Sequence, residues 1–277
     1  MHPQIAAFAR LAKENTPPTR VLEGQKTLIS RTMHDFAYDG IHDEIVVTGA
    51  LTLSILTFRG GANGEEPPIR VINGPHTQIR GGGTGAADRV NIDPVNNEIY
   101  VPVYKPDRIL VFDRLANGDV APKRFLNREG SVQVDAVHNL LLVNANNAMY
   151  IYDRTASGDD KPKAVVQGPI SGMSTNANFA VYPPKGWIIA SGGEERKDNS
   201  FVGVWSINDN GDVPPRYRIR YQELTGFVAT GFGLDPVHKE VIFSAAGSGR
   251  ARPDLPRSHT VTGAQQSVLT FSWPEIF

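Results

Sequence analysis

Cysteine is absent from the 277 residues. That excludes a disulfide framework, a thiolate metal site, an iron–sulfur cluster and a cysteine nucleophile, all of which need the sulfur. An excess of one charge is absent too: 28 Lys plus Arg against 29 Asp plus Glu leave a formal charge of −1, so the basic balance of a general nucleic-acid binder is missing and nucleic acid is not an expected partner. No apolar run approaches the roughly 20 residues that span a bilayer, so no membrane span is expected. The first residues, Met1 to Phe8, lack the long apolar stretch of a secretion signal. An exported chain whose leader has been removed would read the same, so the compartment stays open.

What is present is a repeat. Ile55-Leu56-Thr57-Phe58, Ala62-Asn63-Gly64 and Pro67-Pro68-Ile69-Arg70 are followed one unit later by Ile109-Leu110-Val111-Phe112, Ala116-Asn117-Gly118 and Pro122-Lys123-Arg124. The offset from an aromatic residue to a proline is ten in Phe8 to Pro18, Phe58 to Pro68, Phe112 to Pro122, Tyr152 to Pro162 and Trp205 to Pro215, a register chance would not hold. Between these markers a short alternating segment ends in a turn and resumes, as in Phe36-Ala37-Tyr38-Asp39 before Glu44-Ile45-Val46-Val47 and Val90-Asn91-Ile92-Asp93 before Glu98-Ile99-Tyr100-Val101. Short β-branched and aromatic runs punctuated by Gly, Pro and Asn are strands. Four strands per unit and aromatic spacings of 50, 54, 40, 53 and 66 residues predict an all-β, five-bladed β-propeller forming a single domain over 1–277.

The repeat text resembles bacterial β-propeller repeats related to the NHL family and the lactonase-like propellers. The resemblance implies blades running from an inner strand through an Asp-containing turn and two middle strands to an outer strand after the proline. On that pattern residues 19–277 carry five blades. The last blade takes Gly231 to Asp235, Glu240 to Ala245 and Ser267 to Trp273, and is closed by an outer strand, Thr19 to Gly24, from the N-terminus. Closure matters because open sheet edges invite association. Ile5 to Arg10 matches the same strand as Val268 to Trp273, which leaves a six-bladed alternative. A short helix through Ala6 to Lys13, within an N-terminal extension of 1–18, is the preferred resolution.

Several polar residues repeat and therefore belong to the scaffold. His42, His138 and His238 share one slot of the inner hairpin turn, and equivalent positions in separate blades cannot converge on one zinc ion. Asp39, Asp93, Asp135 and Asp235 are expected to cap that turn, with a shared calcium at the channel mouth as the lesser reading. Phe58, Phe112, Tyr152, Trp205 and Phe271 are expected to pack between sheets. The glycine run 81–85 lacks the Lys-Ser/Thr ending and following helix of a phosphate loop.

Residues that break the repeat are the candidates for function, since a site residue need serve only one blade. On the face where inner strands begin, the connections Gln25 to His34, Pro75 to Asp88, Pro169 to Ala177 and Tyr221 to Thr230 vary, and Ala246 to Gln266 is a long insertion. Arg31, Arg89, Arg250, Arg252, Arg257 and His259 are the expected ligand-binding set, since planar guanidinium donors suit carboxylate or phosphate oxygens. The leading expectation is a propeller that binds a small anionic or polar ligand, or a partner's loop, on that face. Period-two alternation sends Phe36, Tyr38, Val90, Ile92, Val132, Val134, Phe179, Val181, Phe232 and Leu234 between sheets, and turns Asp35, Arg89, Ser131 and Asn178 toward the channel. Some propellers of the resembled kind open lactones or cleave esters with a metal held at inner-strand starts. The alternative is therefore a metal-dependent hydrolase or lyase, with His34, Asp35 and Asp88 as catalytic candidates and His34, Asp88 and Asn178 as ligands to calcium or zinc. A non-catalytic interaction scaffold is the third reading.

Overall fold

The computed structural model describes residues 3–30, 33, 35–80, 89–174, 179–193, 199, 201–220, 227–247 and 266–277. Its regular structure is all β apart from single turns of 3-10 helix, and it is a five-bladed β-propeller. After an N-terminal hairpin of β1 (Gln4–Ala7) and β2 (Arg20–Glu23), the blades follow as antiparallel meanders in chain order. The first is β3 (Phe36–Asp39), β4 (Glu44–Gly49), β5 (Ser54–Arg59) and β6 (Arg70–Asn73). The second is β7 (Asn91–Asp93), β8 (Glu98–Val103), β9 (Arg108–Asp113) and β10 (Arg124–Leu126). The third is β11 (Ser131–Asp135), β12 (Leu140–Ala145), β13 (Ala148–Asp153) and β14 (Ala164–Gln167). The fourth is β15 (Ala180–Tyr182), β16 (Trp187–Gly192), β17 (Phe201–Ser206) and β18 (Tyr217–Ile219), and the last carries β19 (Phe227–Asp235), β20 (Glu240–Gly247) and β21 (Gln266–Ser272).

The residues form two compact units, Met1–Val134 with Ala156–Asp160, and Asp135–Thr155 with Lys161–Phe277. Each has its own core. In the first, Leu22, Val47, Leu56 and Phe58 form one cluster, and Ile55, Ile72, Ile92, Ile99 and Phe112 another. In the second, Leu142, Met149, Phe179 and Trp205 pack together, as do Val204, Val241, Phe243 and Ile276. The aromatic slot behaves as expected in four repeats: Phe58, Phe112, Tyr152 and Trp205 are buried, each burial worth about 1.5–3 kcal/mol. Phe271 is half-buried with its ring 5.5 Å from that of Phe243.

Three expectations are corrected. The segment through Ala6 to Lys13 is not helical, because Gln4–Ala7 is a strand paired with Arg20–Glu23, Ile5 opposite Leu22. The same pairing corrects the closure: β2 forms its ladder with β1, not with Ser267–Trp273. The physical reason is locality, since the Phe8 to Pro18 spacing builds the same third-to-fourth-strand hairpin as in the first four blades, and a short loop closes at less entropic cost than a distant one. Phe36 and Tyr38 are 53% and 55% exposed, not packed between sheets. Within its unit the sheet preceding β3 is the two-stranded hairpin, which has no inner strands to cover them. Val90 and Ile92, behind the complete first blade, are buried as expected. Asn91 and Gln133 are half-buried and joined by a 2.9 Å hydrogen bond between side chains of successive inner strands.

Candidate functional site

The repeated polar residues are turn and latch machinery. Asp39 Oδ1 accepts the amides of Ile41 and His42, and His42 Nδ1 lies 2.8 Å from Asp39 Oδ2. Burial opposes ionisation of this carboxyl, but the bonds from His42 and Ile41 prevail and hold it below the usual carboxylate range. Asp135 with His138 repeats the arrangement, and Asp93 with Asn96 makes it with an amide in place of the imidazole. In the last blade Asp235, His238 and Glu240 bring ligand atoms within 4.8 Å of one another. His238 there bonds Asp235 as its counterparts do, so the cluster is the shared hairpin turn and not evidence for a metal.

A second device ties three outer strands to the blade that follows. Asn63 Oδ1 accepts the Val21 amide, Asn117 that of Val71 and Asn210 that of Val165, while the following glycines, Gly64, Gly118 and Gly211, exchange backbone hydrogen bonds with those strands. Beside each latch a carboxylate reaches back to the turn after the strand: Glu65 to the Gln25 amide, Asp119 to that of His76 and Asp212 to that of Ser171. The acids approach over Gly24, Gly74 and Gly168, at φ of 102°, 133° and 128°, where an added Cβ would lie 2.2–2.4 Å from the acid.

The fourth outer strand breaks this pattern and borders a cleft of about 550 Å³. One side is Pro169, Ile170 and Gly172 in the connection after β14; the other is Phe201 and the strip Pro214 to Arg220. Arg216, Arg218 and Arg220 recur at every second residue, the spacing that puts strand side chains on one face, and all three line the cleft. Arg216 is committed: two hydrogen bonds of 2.5 and 2.8 Å hold it on Asp209, which raises its pKa further, and it lies 5.6 Å from the Trp187 ring. Arg218 is exposed, with its guanidinium carbon 5.9 Å from the centre of the Phe201 ring. Phe201 is fixed by small neighbours, since a Cβ on Gly192 would lie 2.3 Å from its ring and one on Gly203 2.9 Å.

Why the cleft lies here follows from one slot. Thirteen residues after the aromatic marker stand Val21, Val71, Phe125 and Val165, all half-buried; in the fourth blade the same offset from Trp205 falls on Arg218. In this strand an exposed guanidinium stands where the other four have a half-buried apolar side chain. Sequence reasoning missed these arginines because it sought function in the variable loops; aligning the outer strands by their offset reveals them.

Of the residues expected in the site, Asp35 and Arg89 lie among those described. Asp35 is half-buried, and its oxygens accept the amides of Phe36 at 3.0 Å and Val90 at 3.3 Å, tying one inner strand to the next. Arg89 is half-buried at the start of the second inner strand. Arg31, His34, Asp88, Asn178, Arg250, Arg252, Arg257 and His259 lie outside the described residues.

No family model matches the chain and no curated protein matches it. Solved structures do. Hydrazine synthase from Kuenenia stuttgartiensis aligns with a TM-score of 0.58 at 9% identity, over 87% of this chain and 63% of that one. A chain of a mitotic checkpoint complex aligns at 0.55 and 12% identity, over 83% and 62%. The β-propeller domain of Cps50 (Swd1) from Myceliophteria thermophila aligns at 0.53 and 11% identity, over 83% and 69%. The chain thus spans less than two thirds of the first two. At these identities the likeness establishes the propeller fold, which serves many unrelated functions. No helix among the described residues is long and apolar enough to cross a membrane.

Proposed function

We propose that the protein is a binding module that takes an anionic ligand in the arginine-lined cleft beside β18. The propeller fold supports a binding or scaffold role in general. The observation that carries the narrower reading is Arg218, exposed over Phe201 in a slot that is apolar in four other outer strands. Arg216, locked on Asp209, positions the strip. Pro169, Ile170, Pro214 and Pro215 border the cleft, and a guanidinium there offers charge-assisted hydrogen bonds to an anion. The proposal retains a binding role but moves it from the residues expected in the sequence to this strip, with Arg218 as the residue that carries it. Kinship to NHL-like propellers remains part of the proposal and rests on the repeat text.

The test is thermal unfolding in the presence of citrate, glutamate and phosphate, for the wild type, Arg218→Ala and Arg89→Ala. The expected result is an anion-dependent rise in midpoint that Arg218→Ala loses and Arg89→Ala keeps. The opposite pattern would move the site to the inner-strand face, and an effect that survives both substitutions would overturn the cleft as the binding site.

A further inference from the structure

We infer that the cleft's ligand is an acidic peptide in extended conformation, which adds as a fifth strand to the outer edge of β18 and sets its carboxylates against Arg218 and Arg220. This rests on the anion-binding reading above and narrows it to a class of partner.

The edge is the first ground. In the four preceding outer strands the edge is occupied: Gly64 donates to the Val21 carbonyl, Gly118 to that of Val71, Gly158 to that of Phe125 and Gly211 to that of Val165, and each glycine carbonyl takes an amide two residues further along the strand. These contacts are parallel β-bridges. The glycine stands six residues after the aromatic marker each time. In the last blade the sixth residue after Phe271 is Phe277, and it is engaged elsewhere: its amide bonds Pro274, its carbonyl accepts from Lys185 at 2.6 Å, and its ring meets Tyr182 edge-on. Among the described residues no latch reaches the outward-facing amide and carbonyl of Arg218. An edge strand's outward backbone groups, here the amide and carbonyl of Arg218, are a template for a further strand, and strand addition is an established mode of peptide recognition.

Charge is the second ground, and it selects the partner. The latched strands place Val21, Val71, Phe125 and Val165, then Glu23, Asn73, Asn127 and Gln167, at the two positions where β18 and the residue after it have Arg218 and Arg220. The edge without a latch is the one carrying two additional cations. A strand laid against it would put alternate side chains opposite those arginines, where opposite charges directly across a ladder attract. The intervening side chains of that strand would fall on the Ile219 side, so the matching sequence alternates acidic and apolar residues.

The experiment measures binding of a short peptide alternating Glu and Val, an analogue N-methylated at every second amide on its pairing edge, and a peptide with Gln for Glu. The expected result is that the Glu peptide binds and slows hydrogen exchange of the Arg218 amide. Its N-methylated and Gln forms bind at least about tenfold more weakly, and the double substitution Arg218→Ala, Arg220→Ala costs about tenfold, the sum of two cross-strand charge pairs. Arg218→Lys should retain most of the affinity, and unfolding midpoints of the variants report whether they fold. Equal binding of the N-methylated peptide overturns strand addition while leaving the anion-binding reading intact. Equal binding to the double variant, or no binding by the Glu peptide, also overturns the inference; the citrate and glutamate midpoints then decide separately whether the anion-binding reading survives.

Discussion

Glu98 shows how one carboxylate is made to depend on its neighbours. It stands at the start of β8, is 4% exposed, and receives hydrogen bonds from Arg124 at 2.6 and 2.8 Å, Lys123 at 3.0 Å and Tyr100 at 2.8 Å. Burial alone would raise its pKa; those donors outweigh it and lower the value to about 2. A carboxyl whose pKa is lower in the folded chain than in the unfolded one contributes stability at pH above its unfolded value, and the contribution is lost as pH falls toward the folded one. The window here runs from roughly pH 5 down to about 2, and the contribution is at most about 3 kcal/mol. Glu98→Gln should therefore lower the unfolding free energy in urea at pH 6 to 7, and the gap from wild type should shrink steadily as pH falls through that window. A gap independent of pH would mean that the side chain acts by packing alone. Glu44 makes the contrast: it is bonded by two arginines, Arg70 and Arg114, and Arg114 belongs to the next blade, so this carboxylate joins blades as well as strands.

The latch between an outer strand and the next blade is the element that the repeat preserves most plainly, and it can be taken apart. Gly168 has a φ of 128°, and an added Cβ would stand 2.3 Å from Asp212 Cγ. Gly168→Ala should cost about 1–3 kcal/mol from the left-handed backbone and the clash together. Asp212→Ala should cost about 1–2 kcal/mol, because it leaves the amide of fully buried Ser171 without its 2.7 Å partner. The two losses should fall short of additive in a double-mutant cycle read by urea unfolding, since removing the acid also removes the clash; strict additivity would mean the two residues do not meet. Much of this architecture was legible in the sequence. The ten-residue offset from aromatic to proline is the turn between third and fourth strands, and Asp39, Asp93, Asp135 and Asp235 cap the inner hairpins of four blades. Where legibility ended, the reason was competition between equal claims. Gln4–Ala7 and Gln266–Ser272 carry the same strand pattern, and the signal that favours the nearer one, the Phe8 to Pro18 offset, competed with the demand for a fourth strand in the last blade. The cleft was hidden differently: Arg216, Arg218 and Arg220 read as ordinary outward alternation until the apolar occupants of their slot in the other strands are set beside them.

For the molecule as a whole, the balance of 28 basic against 29 acidic residues bears on how the proposed acidic peptide would be drawn in. A chain of near-zero net charge has little long-range field to steer an anion, so attraction must come from the arginine strip itself and act over about one Debye length, ~10 Å at 0.1 M salt. Steering by a whole-protein field shows as an association rate that collapses with added salt, whereas a short-range charge pair shows mainly in dissociation. Binding of the Glu/Val peptide, followed by stopped-flow fluorescence across NaCl concentrations of about 0.05 to 0.5 M, should therefore show an association rate that falls less than about tenfold. The dissociation rate should rise over the same range and account for most of the weakening. Arg218→Ala should flatten the salt dependence of dissociation and leave association almost unchanged, because removing one charge from the strip alters the bound contacts more than it alters a field that the remaining 56 charged Lys, Arg, Asp and Glu residues already nearly cancel. An association rate falling a hundredfold would place the attraction in a wider basic surface, and the arginine strip would then be too small a feature to explain it.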